Sequence, residues 1–155
     1  GIVVPATGIS LHNRGCGFCL APGHPNRVGP AKRPYHTIIP GFVGTENGPK
    51  MSFGVMGAHM QPQGHVQLIT RIFDYGLNPQ AAVDAPRWFV DEQFRLALEP
   101  GLARLAPELE KRGHRLIQYP PTFLFGGAQL IYRLEENGGY CAASDPRKDG
   151  CAIGM

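Results

Sequence analysis

Three stretches of this 155-residue chain carry residue types suited to chemistry. The first is His12-Asn13-Arg14. A guanidinium can donate two parallel hydrogen bonds to a carboxylate, so Arg14 could clamp the acid group of a small ligand; a solvated loop arginine is the other reading. The second is Tyr35-His36-Thr37, whose hydroxyls and imidazole could orient a substrate, or where His36 is only a satisfied strand-end histidine. The third is Gly54-Val55-Met56-Gly57-Ala58-His59, which leaves an apolar run and enters a helical pattern. Successive backbone N–H groups at such a turn could cradle an oxyanion, or the stretch is simply a turn. No nucleophile accompanies these features. None of Ser10, Ser52 and Ser144 lies in G-x-S-x-G, and H-E-x-x-H, a Walker loop and a dinucleotide fingerprint are absent.

Cysteine spacing opens a different class. Cys16 and Cys19 form C-x-x-C, and His12 and His24 extend it to H-x3-C-x2-C-x4-H, the outline of a zinc-binding interaction module. Structural zinc sites usually show two tight pairs, and this chain has one. A redox reading needs the pair at a helix start, whereas Gly15, Gly17 and Pro22 mark a loop. Thiols in a reducing compartment are the plain alternative.

Loops and short elements must position these residues. The chain holds 21 glycines and 15 prolines without a period, which indicates many turns rather than collagen or a solenoid. Ile2–Val4 reads as a strand closed by Pro5, and residues 12–36 read as one long loop, a length that often marks function. His36–Val43 and Met51–Met56 are apolar runs flanking Thr45-Glu46-Asn47-Gly48-Pro49, the pattern of a β-hairpin. From Pro62 to Tyr75, Val66, Ile69 and Phe73 follow helical spacing, Leu68 and Ile72 add the adjoining row, and Gly76 stops the helix. Asn78-Pro79 is an N-cap with proline at the first helical position, opening a helix through Val83. A strand at Arg95–Glu99, a helix at Pro107–Arg112 capped by Gly113 and a strand at His114–Gln118 follow. Gln129–Leu134 and Tyr140–Ala143 flank Asn137-Gly138-Gly139 as a last hairpin. The pattern is α+β with mostly antiparallel strands and no dividing linker.

Composition excludes several classes. Residues 1–73 carry one acid, Glu46, and five of the six histidines, so this half favours small anionic ligands. No Lys/Arg run or aromatic-interleaved basic motif points to nucleic acid. No apolar run reaches the ~18 residues of a membrane span, and no signal-peptide pattern is present. A cytoplasmic location is expected. The opening Gly-Ile-Val-Val has no initiator Met and reads as the inside of a strand, so a processed product or fragment is expected.

Taken together, the chain resembles the C-terminal part of the small subunit of the γ-glutamyltransferase family, which are N-terminal-nucleophile hydrolases. Thr7-Gly8-Ile9-Ser10-Leu11-His12-Asn13 looks like that family's T/S-G-I-L-L-N-N, and Gly29-Pro30-Ala31-Lys32-Arg33-Pro34 like its G-P-N-K-R-P. Asp74-Tyr75-Gly76-Leu77-Asn78, Asp84-Ala85-Pro86-Arg87 and Ala143-Ser144-Asp145-Pro146-Arg147 are similar to further family signatures. The matches run in order from Gly1 to Gly154. The H-N-R-G and K-R-P-Y-H-T-I-I-P-G-F stretches look closest to the oxamate amidohydrolase-like branch.

The resemblance implies that residues 1–155 are a fragment of one domain, part of a four-layer αββα sandwich. It implies autocleavage that exposes a catalytic Thr upstream of Gly1, with its own α-amine as base, so Thr7, Thr37, Thr45, Thr70 and Thr122 are not the nucleophile. It implies an oxyanion pair at Gly57 and Ala58, where Ala replaces the family's second glycine. The family's paired substrate-binding serines fall at His36 and Thr37, its substrate-contacting Gln or Glu at Arg14, and its ammonium-binding Asp at Gly17. A γ-glutamyl substrate carries a cation that needs a carboxylate, and burying it unpaired costs several kcal/mol. His12, Arg14, His36 and Thr37 better suit an acyl group bearing carboxylate or keto oxygen. The expected activity is therefore amide hydrolysis on a substrate such as oxamate, through a threonyl ester; a true γ-glutamyl hydrolase or transpeptidase is the alternative. The expected partners are a small-molecule amide and the large subunit or upstream segment of the same precursor, with a homo-oligomer left open. Nucleic acid, membrane, metal and cofactor are not expected.

Overall fold

The computed structural model describes residues 1–134 and 138–154. The chain divides into two compact units, Gly1–Thr37 and Ile38–Met155.

In the first unit β1 (Ile2–Val4) pairs antiparallel with β2 (Ile9–Leu11). Thr7 and Gly8 donate their N–H groups to the Val4 carbonyl, and Gly8 takes φ 68° in the turn. The second strand is not evident from pattern, because neither face of Ile9–Leu11 is buried. The expected 12–36 loop contains a 3-10 turn at Arg14–Gly17 and a parallel bridge between Cys19 and Arg27.

The second unit is built on a four-stranded sheet. Its strands are β3 (Gly41–Thr45), β4 (Gly48–Met56), β8 (Gly127–Arg133) and β9 (Tyr140–Ser144). They lie in the order β3-β4-β8-β9, all antiparallel. Both expected hairpin pairings form. The first strand starts later than His36, at Gly41 just after Pro40, which has no N–H to donate to a ladder. Asn137 of the expected last turn lies outside the described residues.

Alternation along the strands sorts the sheet's two faces. Met51, Phe53 and Val55 of β4, Ala128 and Leu130 of β8 and Ala143 of β9 form one core. The intervening Met56 and Ile131, and Phe42 of β3, stay more than half exposed on the opposite face.

Helix α1 (Met60–Ile69) lies against β4 and continues as a π-helical turn over Thr70–Asp74. Its core row is Leu68 and Ile72; Val66 and Phe73 of the other expected row are exposed. The close approach is at Gly64, where a Cβ would sit 2.7 Å from Val55 Cγ1. The widened turn follows from Thr70, whose hydroxyl donates to the Val66 carbonyl at 2.5 Å and competes with the helical ladder. The Tyr75 N–H then reaches back five residues to the Thr70 carbonyl. Gly76 (φ 67°) ends the segment as expected. Helix α2 (Pro79–Asp84) starts as its sequence indicates: Asn78 Oδ1 accepts from the Ala81 N–H at 2.8 Å.

A smaller sheet orders β5 (Trp88–Val90), β6 (Arg95–Leu98) and β7 (Arg115–Leu116). The pairing of β6 with β7 is the one parallel ladder among the described strands. Helix α3 (Ala106–Lys111) precedes β7, and Gly113 follows it with φ 91°. Strand β5 is only three residues long, and its outer edge is completed by glutamine side chains. Gln63 and Gln67, one turn apart on α1, each exchange two hydrogen bonds with the backbone of Val90 and Trp88 respectively.

Candidate active site

The first unit holds the candidate acyl-binding residues. The 3-10 turn places Arg14 beside His12, whose Nδ1 accepts from the Arg14 N–H at 3.1 Å. Both side chains are exposed. The Asn26 side-chain amide donates to the Gly17 carbonyl and ties the turn to the following loop. A Cβ at Gly17 would lie 3.7 Å from Pro34 Cβ and from the Tyr35 carbonyl. The unit therefore brings the Arg14–Gly17 turn against the segment that leads into His36 and Thr37.

The zinc arrangement does not assemble. Among the described residues no group of three or more His, Cys, Asp or Glu could hold a metal ion. His24 turns its Nδ1 to the Asn26 N–H at 2.9 Å, as His12 does to Arg14. Cys16 and Cys19 are free thiols.

The second unit holds the candidate oxyanion turn. Gly57 has φ 138° and Ala58 φ 50°, so two successive residues take left-handed backbone conformations between β4 and α1. Their carbonyls accept from the Met60 and Gln61 N–H groups and begin the helix. Their own N–H groups enter none of the hydrogen bonds found among the described residues. At Gly57 a side chain is disfavoured by φ and crowded by Gly126 Cα and Met60 Cβ, each 3.1 Å from where a Cβ would stand. Ala58 in the same region carries strain of about 1 kcal/mol or more. Beside the turn His59 faces Glu92 at 3.8 Å and lines a cavity of about 370 Å³ with Phe89–Gln93.

Behind this turn lies a charged network that the sequence signals but does not explain. Arg87 and Asp145 are fully buried and meet at 2.6 Å. Arg147 grips Glu99 with two parallel bonds, Nε to Oε1 at 2.7 Å and Nη2 to Oε2 at 2.5 Å, and reaches Asp145 Oδ1 at 3.1 Å. Arg71, from the π-helical turn, donates to the Ala82, Ala85 and Pro86 carbonyls. Burial and the neighbouring Arg87 and Arg147 lower its pKa to about 10. For Asp145 burial acts upward, but hydrogen bonds from the Ala128 and Arg147 N–H groups and the Arg87 guanidinium outweigh it, and its pKa lies below the ordinary carboxylate value. Arg87, Asp145 and Arg147 sit in the Asp84–Arg87 and Ala143–Arg147 signatures, which sequence reading singles out without assigning a role; Glu99 and Arg71 lie outside both.

His65 is a second residue whose role pattern does not reveal. Its Nε2 accepts from the Val55 N–H at 3.3 Å, its ring packs edge-on to Phe53 at 4.8 Å, and burial lowers its pKa.

Comparison with known proteins agrees with this architecture. The family model described as gamma-glutamyltranspeptidase matches residues 1–155. The chain belongs to the γ-glutamyltranspeptidase family. A glutathione hydrolase-like YwrD proenzyme of Bacillus subtilis is 37% identical over 96% of this chain. An oxamate amidohydrolase proenzyme of Klebsiella pneumoniae is 35% identical over 99% of it. The crystal structure of a cephalosporin acylase from Bacillus halodurans superposes with TM-score 0.87 and 45% identity over 96% of this chain and 28% of that one. The chain spans about 30% of the length of the two curated relatives. The expected α+β class and the N-terminal-nucleophile-hydrolase fold hold for this γ-glutamyltranspeptidase-family chain. No helix among the described residues is long and apolar enough to cross a membrane.

Proposed function

We propose that this chain is the C-terminal part of the small subunit of an amidohydrolase that works through a threonyl ester. The observation that carries the reading is the Gly57–Ala58 turn, two successive positive-φ residues whose N–H groups are free of the helix they begin. The nucleophilic Thr lies upstream of Gly1, and its α-amine, with an ordinary pKa near 7.7–8.0, takes the hydroxyl proton as the oxygen attacks the amide carbon. The Gly57 and Ala58 N–H groups stabilise the charge on the carbonyl oxygen, and the α-ammonium returns its proton to the nitrogen as the C–N bond breaks and the amine leaves. Water then gives a proton to the same α-amine as it attacks the ester, and that proton passes to the threonine oxygen as the acid is released. A donor of this kind contributes about 10²–10³ in rate.

Arg14, His12, His36 and Thr37 bind the acid end of the acyl group. Arg14 and His12 on one turn offer a guanidinium and an imidazole, and Gly17 offers no carboxylate for an ammonium. The likeness to an oxamate amidohydrolase proenzyme supports a small carboxylate or keto-acid amide as substrate. The partner is the upstream segment of the same precursor; both curated relatives are named proenzymes. The open sheet face with Phe42, Met56 and Ile131 is the surface we assign to that segment.

The test compares ammonia release from oxamate with cleavage of a γ-glutamyl anilide by the complete enzyme. Oxamate turnover is expected to exceed γ-glutamyl turnover. Faster γ-glutamyl cleavage overturns the substrate reading and means that another acid replaces the one absent at Gly17. The isolated 155-residue chain is expected to be inactive, and amide hydrolysis abolished by a substitution within it overturns the upstream-nucleophile reading.

A further inference from the structure

We propose that the buried Arg87–Asp145 ion pair is a positioning device for the Gly57–Ala58 amides, acting through Phe125-Gly126-Gly127-Ala128, where the chain turns at Gly126 into β8. The inference rests on the oxyanion reading above. One guanidinium and one carboxylate hold both ends of this four-residue segment. Arg87 Nη1 donates to the Phe125 carbonyl at 2.9 Å, and Arg87 Nη2 donates to Asp145 Oδ2 at 2.6 Å. That same Oδ2 accepts from the Ala128 N–H at 2.6 Å, while the Asp145 N–H donates to the Ala128 carbonyl at 3.1 Å.

The middle of the clamped segment touches the oxyanion turn directly. Gly126 has φ 67°, and a Cβ there would stand 2.2 Å from the Met56 carbonyl oxygen. From the other side, a Cβ on Gly57 would stand 3.1 Å from Gly126 Cα. Met56 is paired with Gly127 in the β4–β8 ladder. Contact is therefore backbone on backbone, with no side chain between to absorb a displacement. A shift of the Phe125–Ala128 segment passes to Gly57 and Ala58.

This accounts for a buried charge pair at a place where apolar residues would fill the space. A buried ion pair adds little net stability over a well-packed apolar substitute. What it adds is direction: several short hydrogen bonds fixed to one rigid pair of planar groups. Oxyanion donors need that precision, because a misplacement of about 1 Å can cost about 10²-fold in rate.

The experiment uses Arg87→Lys, Asp145→Asn and Gly126→Ala in the complete, mature enzyme. Gly126→Ala moves the same segment without touching the ion pair. For each, affinity for a boronic-acid analogue of the acyl group, which forms a tetrahedral adduct, is measured against affinity for the acyl product. We expect analogue affinity to fall about 10- to 100-fold while product affinity stays within about twofold. Arg87→Lys retains the cation and decides the matter if Asp145→Asn yields no mature protein. A purely structural role lowers the yield of mature enzyme or both affinities together; an unchanged ratio overturns the inference. A wild-type crystal structure with the analogue separates the two readings. If no boronate oxygen lies about 2.7–3.1 Å from the Gly57 and Ala58 nitrogens, the oxyanion reading falls. If one does and the ratio is unchanged, only the positioning inference falls.

Discussion

Replacing Arg87 by Met removes the cation from the buried network and leaves the Asp145 carboxylate behind. Bonds to Asp145 Oδ2, the Phe125 carbonyl and the Val83 carbonyl are lost together. Breaking a buried pair from one side costs about 3–5 kcal/mol. Asp145 keeps the Ala128 N–H and the Arg147 contacts, so the expected cost is at the lower end, about 3 kcal/mol. That corresponds to about a hundredfold loss of protection if local opening governs exchange. Hydrogen exchange over residues 125–131 of the complete protein at pH 7 is the assay. The sign of the pH dependence is a second check. The lowered pKa of Asp145 contributes stability that is present above about 3.9 and lost as pH falls through the lower folded value. In the Arg87→Met protein the carboxyl titrates higher, so the deficit shrinks as pH falls toward 4 or so. The double variant Arg87→Met/Asp145→Leu is expected to recover part of the loss. Protection within about twofold of wild type, or a deficit that ignores pH, refutes the reasoning.

Three further outcomes follow from individual residues. His65 has a lowered pKa, so it contributes stability above its unfolded value of about 6.5 that is lost as pH falls through the folded value; the slope of thermal stability below pH 6.5 or so is expected to flatten in His65→Gln, and an unaltered slope counts against its role. Ala58→Gly relieves a left-handed Ala and is expected to raise stability by up to about 1 kcal/mol with kcat retained; a lower melting temperature would contradict the strain argument. Arg14→Ala is expected to raise KM for a carboxylate substrate by about tenfold or more with kcat little altered, whereas an unchanged KM removes Arg14 from the site.

Much of the fold is legible locally. The β3–β4 hairpin, the Asn78-Pro79 helix start and the Gly76 and Gly113 stops are written in turn and cap residues, whose conformational preferences act over a few positions. The core row of α1 is less legible. Spacing offers two apolar rows, and Gly64 against Val55 selects the one with Leu68 and Ile72. Strand β5 and the π-helical turn are less legible still, because one depends on Gln63 and Gln67 lying across from it and the other on a hydroxyl entering the helical ladder.

By itself the sequence determined the family, the α+β class and the short motifs from which the candidate site is built. Those depend on residue identity in order along the chain. Only the tertiary structure decided that Gly57 and Ala58 both adopt positive φ, that His12 and His24 turn their Nδ1 atoms to neighbouring backbone N–H groups, and that Arg87 meets Asp145. Each of those facts depends on how the chain folds in space, and the Arg87–Asp145 contact spans 58 residues. A charged residue in a signature motif reads the same whether it faces water or another charge; burial is what turns it into a clamp.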